Sequence, residues 1–145
     1  MNMVLILGPV GSSSIELPFF SSRVSAGFPS PAQDHMEQTL SLDELLDIDA
    51  PHTYLVRAEG DSMIGAGILD GDVLVVSRAL TGRNGDVVIA AINGETFVKR
   101  LILRGEELVL QSENPKYPPR YVLEGDDLLI WGVVTDSIRR HRSHG

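Results

Sequence analysis

The sequence of 145 residues contains no cysteine. This absence excludes disulfide bonds, thiolate catalysis and cysteine-ligated zinc, and it suits a reducing compartment. The four histidines do not have the spacing of metal ligands. The chain also lacks a glycine-rich phosphate loop of the Walker or dinucleotide-binding type. We therefore expect neither a bound metal nor a cofactor.

Basic residues and long hydrophobic runs are also scarce. Twelve Lys and Arg stand against 20 Asp and Glu, a formal net charge of −8. Because direct DNA binding needs a basic face, we expect any link to nucleic acid to pass through a partner protein. The apolar run at residues 3–8 is too short to span a bilayer and lacks the basic leader of a signal peptide. We expect a cytoplasmic protein that does not associate with membranes.

Residues 1–40 are predicted to form a flexible N-terminal arm. Glycine, proline and serine recur so often, as in Gly8-Pro9 and in residues 27–31, that no long helix or strand is expected. Phe19, Phe20 and Phe28 are unusual in a linker, so the arm is expected to dock on a surface.

Residues 41–145 are predicted to form one mainly β domain, a small antiparallel fold with a single short helix. Ser41 and Glu44 have the spacing of a capping box. Short apolar runs follow at close spacing, and Asn93-Gly94 predicts a hairpin. The predicted strands lie at residues 53–57, 73–76, 87–92, 97–103, 108–110, 121–123 and 128–134. The basic tail at residues 139–142 is expected to be solvated.

Ser62 is the first candidate for catalysis. It stands in Gly60-Asp61-Ser62-Met63, at the junction between a strand and a turn. We expect its hydroxyl to be exposed there, with the backbone N–H groups of Ser62 and Met63 free to hold an oxyanion. Asp61 could orient or cap the turn. A serine in such a turn is structural in most proteins, so this residue alone leaves the role open.

Lys99 is the second candidate, because a serine hydroxyl needs a base and a neutral lysine can supply one. The ordinary lysine pKa of ~10.4 must fall by roughly 3 units for this role, and burial among apolar groups lowers it. Alternation along a strand places Phe97, Leu101 and Leu103 on the face of Lys99. The opposite face is mixed, so periodicity leaves open which side is the core. The alternative is a lysine that extends to water.

The order and spacing of several motifs resemble the LexA/UmuD family of self-cleaving peptidases. The resemblance covers roughly residues 53–135. Phe19-Phe20, residues 27–32 and Glu37-Gln38 extend it to the UmuD branch. Only about 50 residues precede the core, and because they are so few and so rich in breakers we do not expect the DNA-binding domain of the repressors. The motifs are Gly60-Asp61-Ser62-Met63, Gly67-Ile68, residues 70–76, Gly85-Asp86-Val87-Val88 and Phe97-Val98-Lys99-Arg100-Leu101.

The resemblance implies a role for each candidate. Ser62 matches the family nucleophile, Lys99 the general base, and Ala26-Gly27 the bond that is cut. Cleavage, stimulated by RecA on single-stranded DNA in the SOS response, would leave residues 27–145. That fragment, as a homodimer, would join a UmuC-type subunit in an error-prone translesion DNA polymerase.

Two alternatives to this interpretation stay open. The chain could be a non-enzymatic interaction module that binds a polymerase without cutting itself. It could also be an enzyme of the signal-peptidase type, which shares serine–lysine chemistry, but that class requires a membrane anchor that we do not expect here.

Overall fold

The computed structural model describes residues 3–9, 16–20, 36–48 and 51–142. The chain divides into two compact units, one of residues 1–10 with 49–145 and one of residues 11–48. The bond Ala26-Gly27 lies outside the described residues, so its cleavage remains a prediction from the sequence.

The smaller unit contains a strand pair and the short helix. Strand β2 (Glu16–Phe20) pairs antiparallel with β3 (Met36–Ser41), and α1 (Leu42–Leu45) follows directly. The predicted capping box is confirmed. Ser41 Oγ accepts a hydrogen bond from the Glu44 N–H at 3.1 Å, and Glu44 Oε1 accepts one from the Ser41 N–H at 3.4 Å.

The larger unit is one antiparallel sheet of eight strands, in the order β1-β4-β5-β10-β6-β7-β8-β9. Every neighbouring pair in it is antiparallel. The predicted fold class, mainly β with little helix, is confirmed. The strands are β1 (Met3–Pro9), β4 (Thr53–Glu59), β5 (Val73–Ser77), β6 (Val87–Ile92), β7 (Glu95–Arg104), β8 (Glu107–Gln111), β9 (Arg120–Tyr121) and β10 (Leu128–Ile138).

The first strand differs from the prediction that residues 1–40 hold no long strand. Met3–Pro9 forms seven residues of strand and pairs with β4 from Met3 opposite Glu59 to Pro9 opposite Tyr54. The physical reason is that β4 would otherwise be an unpaired sheet edge, and the apolar start of the chain supplies a partner for its backbone groups. Gly8 and Pro9 are still paired with β4, after a shift in the register between Ile6 and Gly8.

Two further details separate prediction and structure. The Asn93-Gly94 hairpin is confirmed, since Ile92 pairs with Glu95 and both turn residues have positive φ, 51° and 86°. The strand predicted at residues 121–123 is wrong in its bounds, because β9 ends at Tyr121. Residues 123–126 instead form a turn in which Asp126 Oδ2 accepts the Leu123 N–H at 2.8 Å.

The core has two parts, and β6 and β7 contribute to both. Successive residues of a strand face opposite sides of the sheet, so Ile89 and Val98 join one cluster while Val88 and Leu101 join the other. Both faces of β7 are therefore covered, which answers the question that periodicity left open. In the described ranges, no helix is long and apolar enough to cross a membrane.

Candidate active site

Ser62 lies in a turn that leaves β4 and ends in a short 3₁₀ segment, Ile64–Ala66. We call residues 60–67 the serine turn. Gly60 opens it with φ 95°, and its N–H donates to Asp70 Oδ1 at 2.8 Å. Met63, only 2% exposed, anchors the turn in the core beneath it. The turn is thus a fixed element rather than a loose loop.

The expectation of an exposed Ser62 hydroxyl is wrong, because Ser62 is 2% exposed. On its C-terminal side, the buried Met63 and the close approach of Gly65 to the backbone of Glu113 hold the turn against the core. Among the described residues, none hydrogen-bonds the Ser62 hydroxyl. A buried polar group without a partner costs free energy and calls for an explanation, of which a catalytic role is one.

The main chain of the serine turn agrees with an oxyanion site. Within the described part of the chain, the N–H groups of Ser62 and Met63 donate to no other backbone group, whereas those of Ile64 and Ala66 close the 3₁₀ segment. Two adjacent N–H groups without partners are the donors that a tetrahedral intermediate needs.

Lys99 lies in the middle of β7, opposite Val88 of β6. It shares the face of Leu101, as the strand alternation predicted, and only 9% of the residue is exposed. Burial lowers the pKa of the Lys99 amine from its ordinary value, since desolvation disfavours the ammonium form. The burial and the direction of this shift agree with what a lysine base requires.

Sequence reasoning missed the partner of Lys99. Its amine donates to Ser112 Oγ at 2.6 Å, and the Phe97 and Tyr117 ring centroids lie 5.7 and 5.9 Å from Nζ. The register of the β7–β8 hairpin would have indicated this partner. Gln111 pairs with Arg100, so in an antiparallel pair the next residue, Ser112, lies opposite Lys99. No hydrogen bond joins Lys99 to Ser62 among the described residues.

Asp61 fastens the serine turn to the segment that follows Ser112. Its Oδ1 accepts the Tyr117 hydroxyl at 2.5 Å, and its backbone carbonyl accepts Asn114 Nδ2 at 2.9 Å. The Tyr117 hydrogen bond lowers the pKa of the Asp61 carboxyl and raises that of the phenol. Ser62 and Lys99 are thus each connected to residues 112–117, one through its turn and one directly.

A cleft of 260 Å³ opens beside Lys99. Three of the residues that line it are apolar, one is acidic, and one is basic in addition to Lys99. Ser62 is not part of its lining. The lining residues are Ile92, Asn93, Glu95, Phe97, Lys99, Leu110 and Arg120.

The expectation of a fully solvated basic tail is wrong at Arg139. Its guanidinium binds both carboxylate oxygens of Asp72, at 2.8 and 2.7 Å, and the Gly67 carbonyl at 2.7 Å. The reason is that Asp72 is buried, and a buried carboxylate needs a compensating cation. Arg139 thereby secures the end of the serine turn.

Comparison with known proteins identifies the family. The model of the peptidase S24-like family matches residues 18–135, a range that includes Ser62 and Lys99. Protein MucA of Salmonella typhimurium is 43% identical over 133 residues, which cover 90% of each chain. Protein ImpA of Shigella flexneri is 44% identical over 135 residues, covering 92% of this chain and 91% of its own.

A repressor of the same family is also similar. The LexA repressor of Anaeromyxobacter dehalogenans is 39% identical over 140 residues, which cover 94% of this chain but 61% of the repressor. The resemblance inferred from the motifs around Ser62 and Lys99 is confirmed. The chain belongs to the peptidase S24-like family, whose members are self-cleaving serine peptidases.

Proposed function

We propose that this protein is a latent serine peptidase that cuts its own chain once, with Ser62 as nucleophile and Lys99 as general base. The observation that carries the proposal is the buried Lys99 amine, which has a hydroxyl partner but no carboxylate within ion-pair distance among the described residues. Such a site favours the neutral amine, the form that can accept a proton from serine.

The proposed reaction balances with these two side chains and water. Ser62 Oγ attacks the carbonyl carbon of Ala26 while its proton passes to Lys99 Nζ. The oxyanion is held by the N–H groups of Ser62 and Met63. The intermediate collapses, the bond to Gly27 breaks, and the Gly27 nitrogen takes the proton from Lys99. Water then hydrolyses the ester between Ala26 and Ser62 Oγ, with Lys99 again as base, and regenerates both side chains.

The proposed substrate is the protein's own N-terminal segment, at Ala26-Gly27. Small residues on both sides of that bond suit the narrow approach to a nucleophile that is only 2% exposed. The products are residues 1–26 and residues 27–145.

The biological role that we propose follows the relatives. Similarity to MucA, ImpA and LexA over 90% or more of this chain supports a place in the SOS response. In this proposal, a RecA filament on single-stranded DNA stimulates the cut, and the homodimer of residues 27–145 joins a UmuC-type translesion polymerase subunit. The net charge of −8 supports recruitment through proteins rather than direct binding to DNA.

Intact mass spectrometry over time, at raised pH or with RecA filament, tests the proposal. We expect the parent to convert to the mass of residues 27–145, and Ser62→Ala and Lys99→Ala each to remain whole. Ser137→Ala and Arg140→Ala, which alter an exposed serine and an exposed basic residue, are the controls and should convert normally.

Two results would contradict parts of this proposal. A product of another mass would overturn Ala26-Gly27 as the cleaved bond. A mass that never changes, with normal binding to the polymerase subunit, would instead favour the non-enzymatic interaction module.

A further inference from the structure

Ser112 occupies a site that the reaction above does not yet use. It follows directly after β8, is 6% exposed, and accepts the hydrogen bond of the Lys99 amine at 2.6 Å. Since Gln111 pairs with Arg100, Ser112 is the cross-strand neighbour of Lys99 on the same face. The contact is therefore fixed by the sheet register.

Among the described residues, only Ser112 offers the amine a hydrogen-bond acceptor. A lysine side chain has four rotatable bonds, and the Phe97 and Tyr117 rings near Nζ offer no hydrogen-bond acceptor to a specific N–H. Ser112 Oγ holds one N–H of the amine, which leaves the nitrogen lone pair free to face the serine nucleophile. A base whose lone pair is aimed needs less reorganisation at the moment of proton transfer.

The residues after Ser112 bind the serine turn. The Glu113 carbonyl accepts the Gly65 N–H at 2.8 Å, and Asn114 and Tyr117 bind the two ends of Asp61, as described above. Residues 112–117, which we call the clamp segment, thus hold the base at one end and the turn of the nucleophile along the rest.

Gly65 shows how close this contact is. A Cβ atom built at Gly65 would lie 2.6 Å from the Glu113 carbonyl oxygen, a distance that real Cβ atoms do not reach. Any residue other than glycine would push the serine turn away from the clamp segment. Glycine is required at position 65 by the close approach of the Glu113 backbone and not by the backbone conformation of the turn.

We infer that Ser112 is a positioning residue for the Lys99 amine, and that the clamp segment sets the geometry between Lys99 and Ser62. This inference rests on the proposed self-cleavage. It adds the side chain of Ser112 to those of Ser62 and Lys99. It also assigns Tyr117 and Gly65 the same role, which is to hold the clamp segment against the serine turn.

The first test compares self-cleavage rates and their pH dependence in the parent, Ser112→Ala and Ser112→Thr. We expect Ser112→Ala to lower the maximal rate about tenfold, the effect of losing one orienting hydrogen bond to an amine. The pH midpoint should also move down, because the hydroxyl oxygen stabilises the ammonium form. Ser112→Thr retains the hydroxyl and should restore both. Among the described residues, Tyr117 faces the amine and Glu95 and Arg120 line its cleft, and these titratable groups are unchanged in both variants.

A purely structural Ser112 would give a different result. The inference would be overturned if Ser112→Ala matched the parent in both cleavage rate and pH midpoint. It would also be overturned if Ser112→Ala cleaved more slowly with an unchanged pH midpoint and Ser112→Thr did not restore the rate. Failure of the proposed function is distinguishable, because then either the parent itself would not convert or Ser62→Ala would still convert to the fragment. Melting temperatures of all variants check that each is folded.

The second test concerns the link to the serine turn. Tyr117→Phe removes the hydrogen bond to Asp61 but keeps the ring beside Lys99, and Gly65→Ala separates the turn from Glu113. We expect both to slow cleavage severalfold while the melting temperature of Tyr117→Phe stays near that of the parent. Tyr121→Phe, at a 46% exposed tyrosine, is the matched control and should cut normally. If Tyr117→Phe and Gly65→Ala both cleaved at the rate of the parent, the proposed role of the clamp segment would be contradicted.

Discussion

Asp72 and Lys99 are both buried ionisable residues, but their surroundings differ. Asp72 is 2% exposed, and its carboxylate receives two N–H groups of Arg139 and the backbone N–H of Leu69. Lys99 is 9% exposed, and its amine has one hydroxyl and two aromatic rings. One buried charge is matched by an opposite charge, and the other has none among the described residues.

The two surroundings favour opposite ionisation states, charged for Asp72 and uncharged for Lys99. The hydrogen bonds from Arg139 lower the pKa of the Asp72 carboxyl, so that the carboxylate is the favoured form. Desolvation lowers the pKa of Lys99 in the direction that favours the uncharged amine. Arg139 compensates the buried charge of Asp72, whereas burial of Lys99 weakens the fold and, in the proposed mechanism, supplies the base.

Replacement of Lys99 has the largest expected effect. Lys99→Met keeps the length and apolar stem of the side chain but removes the base, so we expect self-cleavage to fall at least about a thousandfold. The same variant should be as stable as the parent or more so, because no amine is desolvated. Chemical denaturation with intact mass measurement checks both. A large loss of stability would mean that Lys99 is a structural residue like Asp72.

The stability of the parent and that of Lys99→Met should also depend differently on pH. The folded pKa of Lys99 is below the unfolded value of ~10.4, so the unfolded parent binds more protons between the two and its stability rises with pH there. The advantage of Lys99→Met is therefore expected to be full below the folded pKa of Lys99, to shrink as pH rises above it, and to vanish as pH passes ~10.4. Denaturation curves from pH 7 to above this value measure it, and a constant advantage would contradict desolvation as its source.

Loss of Arg139 should come next and affect stability rather than chemistry. Arg139→Gln leaves the Asp72 carboxylate buried without its cation, so we expect the melting temperature to fall by several degrees. The exposed neighbour Arg140→Gln is the control. In the parent, the ionised Asp72 contributes to the free energy of unfolding above its unfolded pKa of ~3.9. That contribution is lost as the pH falls through the pKa of Asp72 in the folded state, which is lower. Arg139→Gln should lose less stability than the parent on acidification.

The smallest effect is expected at the ion pair between Arg100 and Glu113. Its side chains are 29% and 26% exposed, and such pairs contribute about 1 kcal/mol or less. Glu113→Gln should change unfolding free energy by no more than this and should leave cleavage unaltered, because the clamp segment uses the Glu113 backbone carbonyl. A strong loss of cleavage would mean that the ion pair itself holds the site.

Much of this arrangement could be predicted from the sequence because it depends on local patterns. Strand alternation placed Lys99 on an apolar face, Asn93-Gly94 fixed the β6–β7 hairpin, and the Ser41–Glu44 spacing identified the helix. What could not be predicted depends on contacts between distant segments. The close approach of Gly65 to Glu113 and the pairing of Arg139 with the buried Asp72 each join segments that are far apart in the sequence. Neither contact leaves a periodic signal.

The most direct test of the account is the titration of Lys99 itself. The chain has two lysines, so Cε resonances of Lys99 and Lys116 can be assigned by single substitution in the uncut Ser62→Ala protein. We predict that the Lys99 signal titrates clearly below ~10.4, the ordinary value for lysine. A midpoint at or above that value would show a lysine that stays charged, and the account of Lys99 as a base would be contradicted.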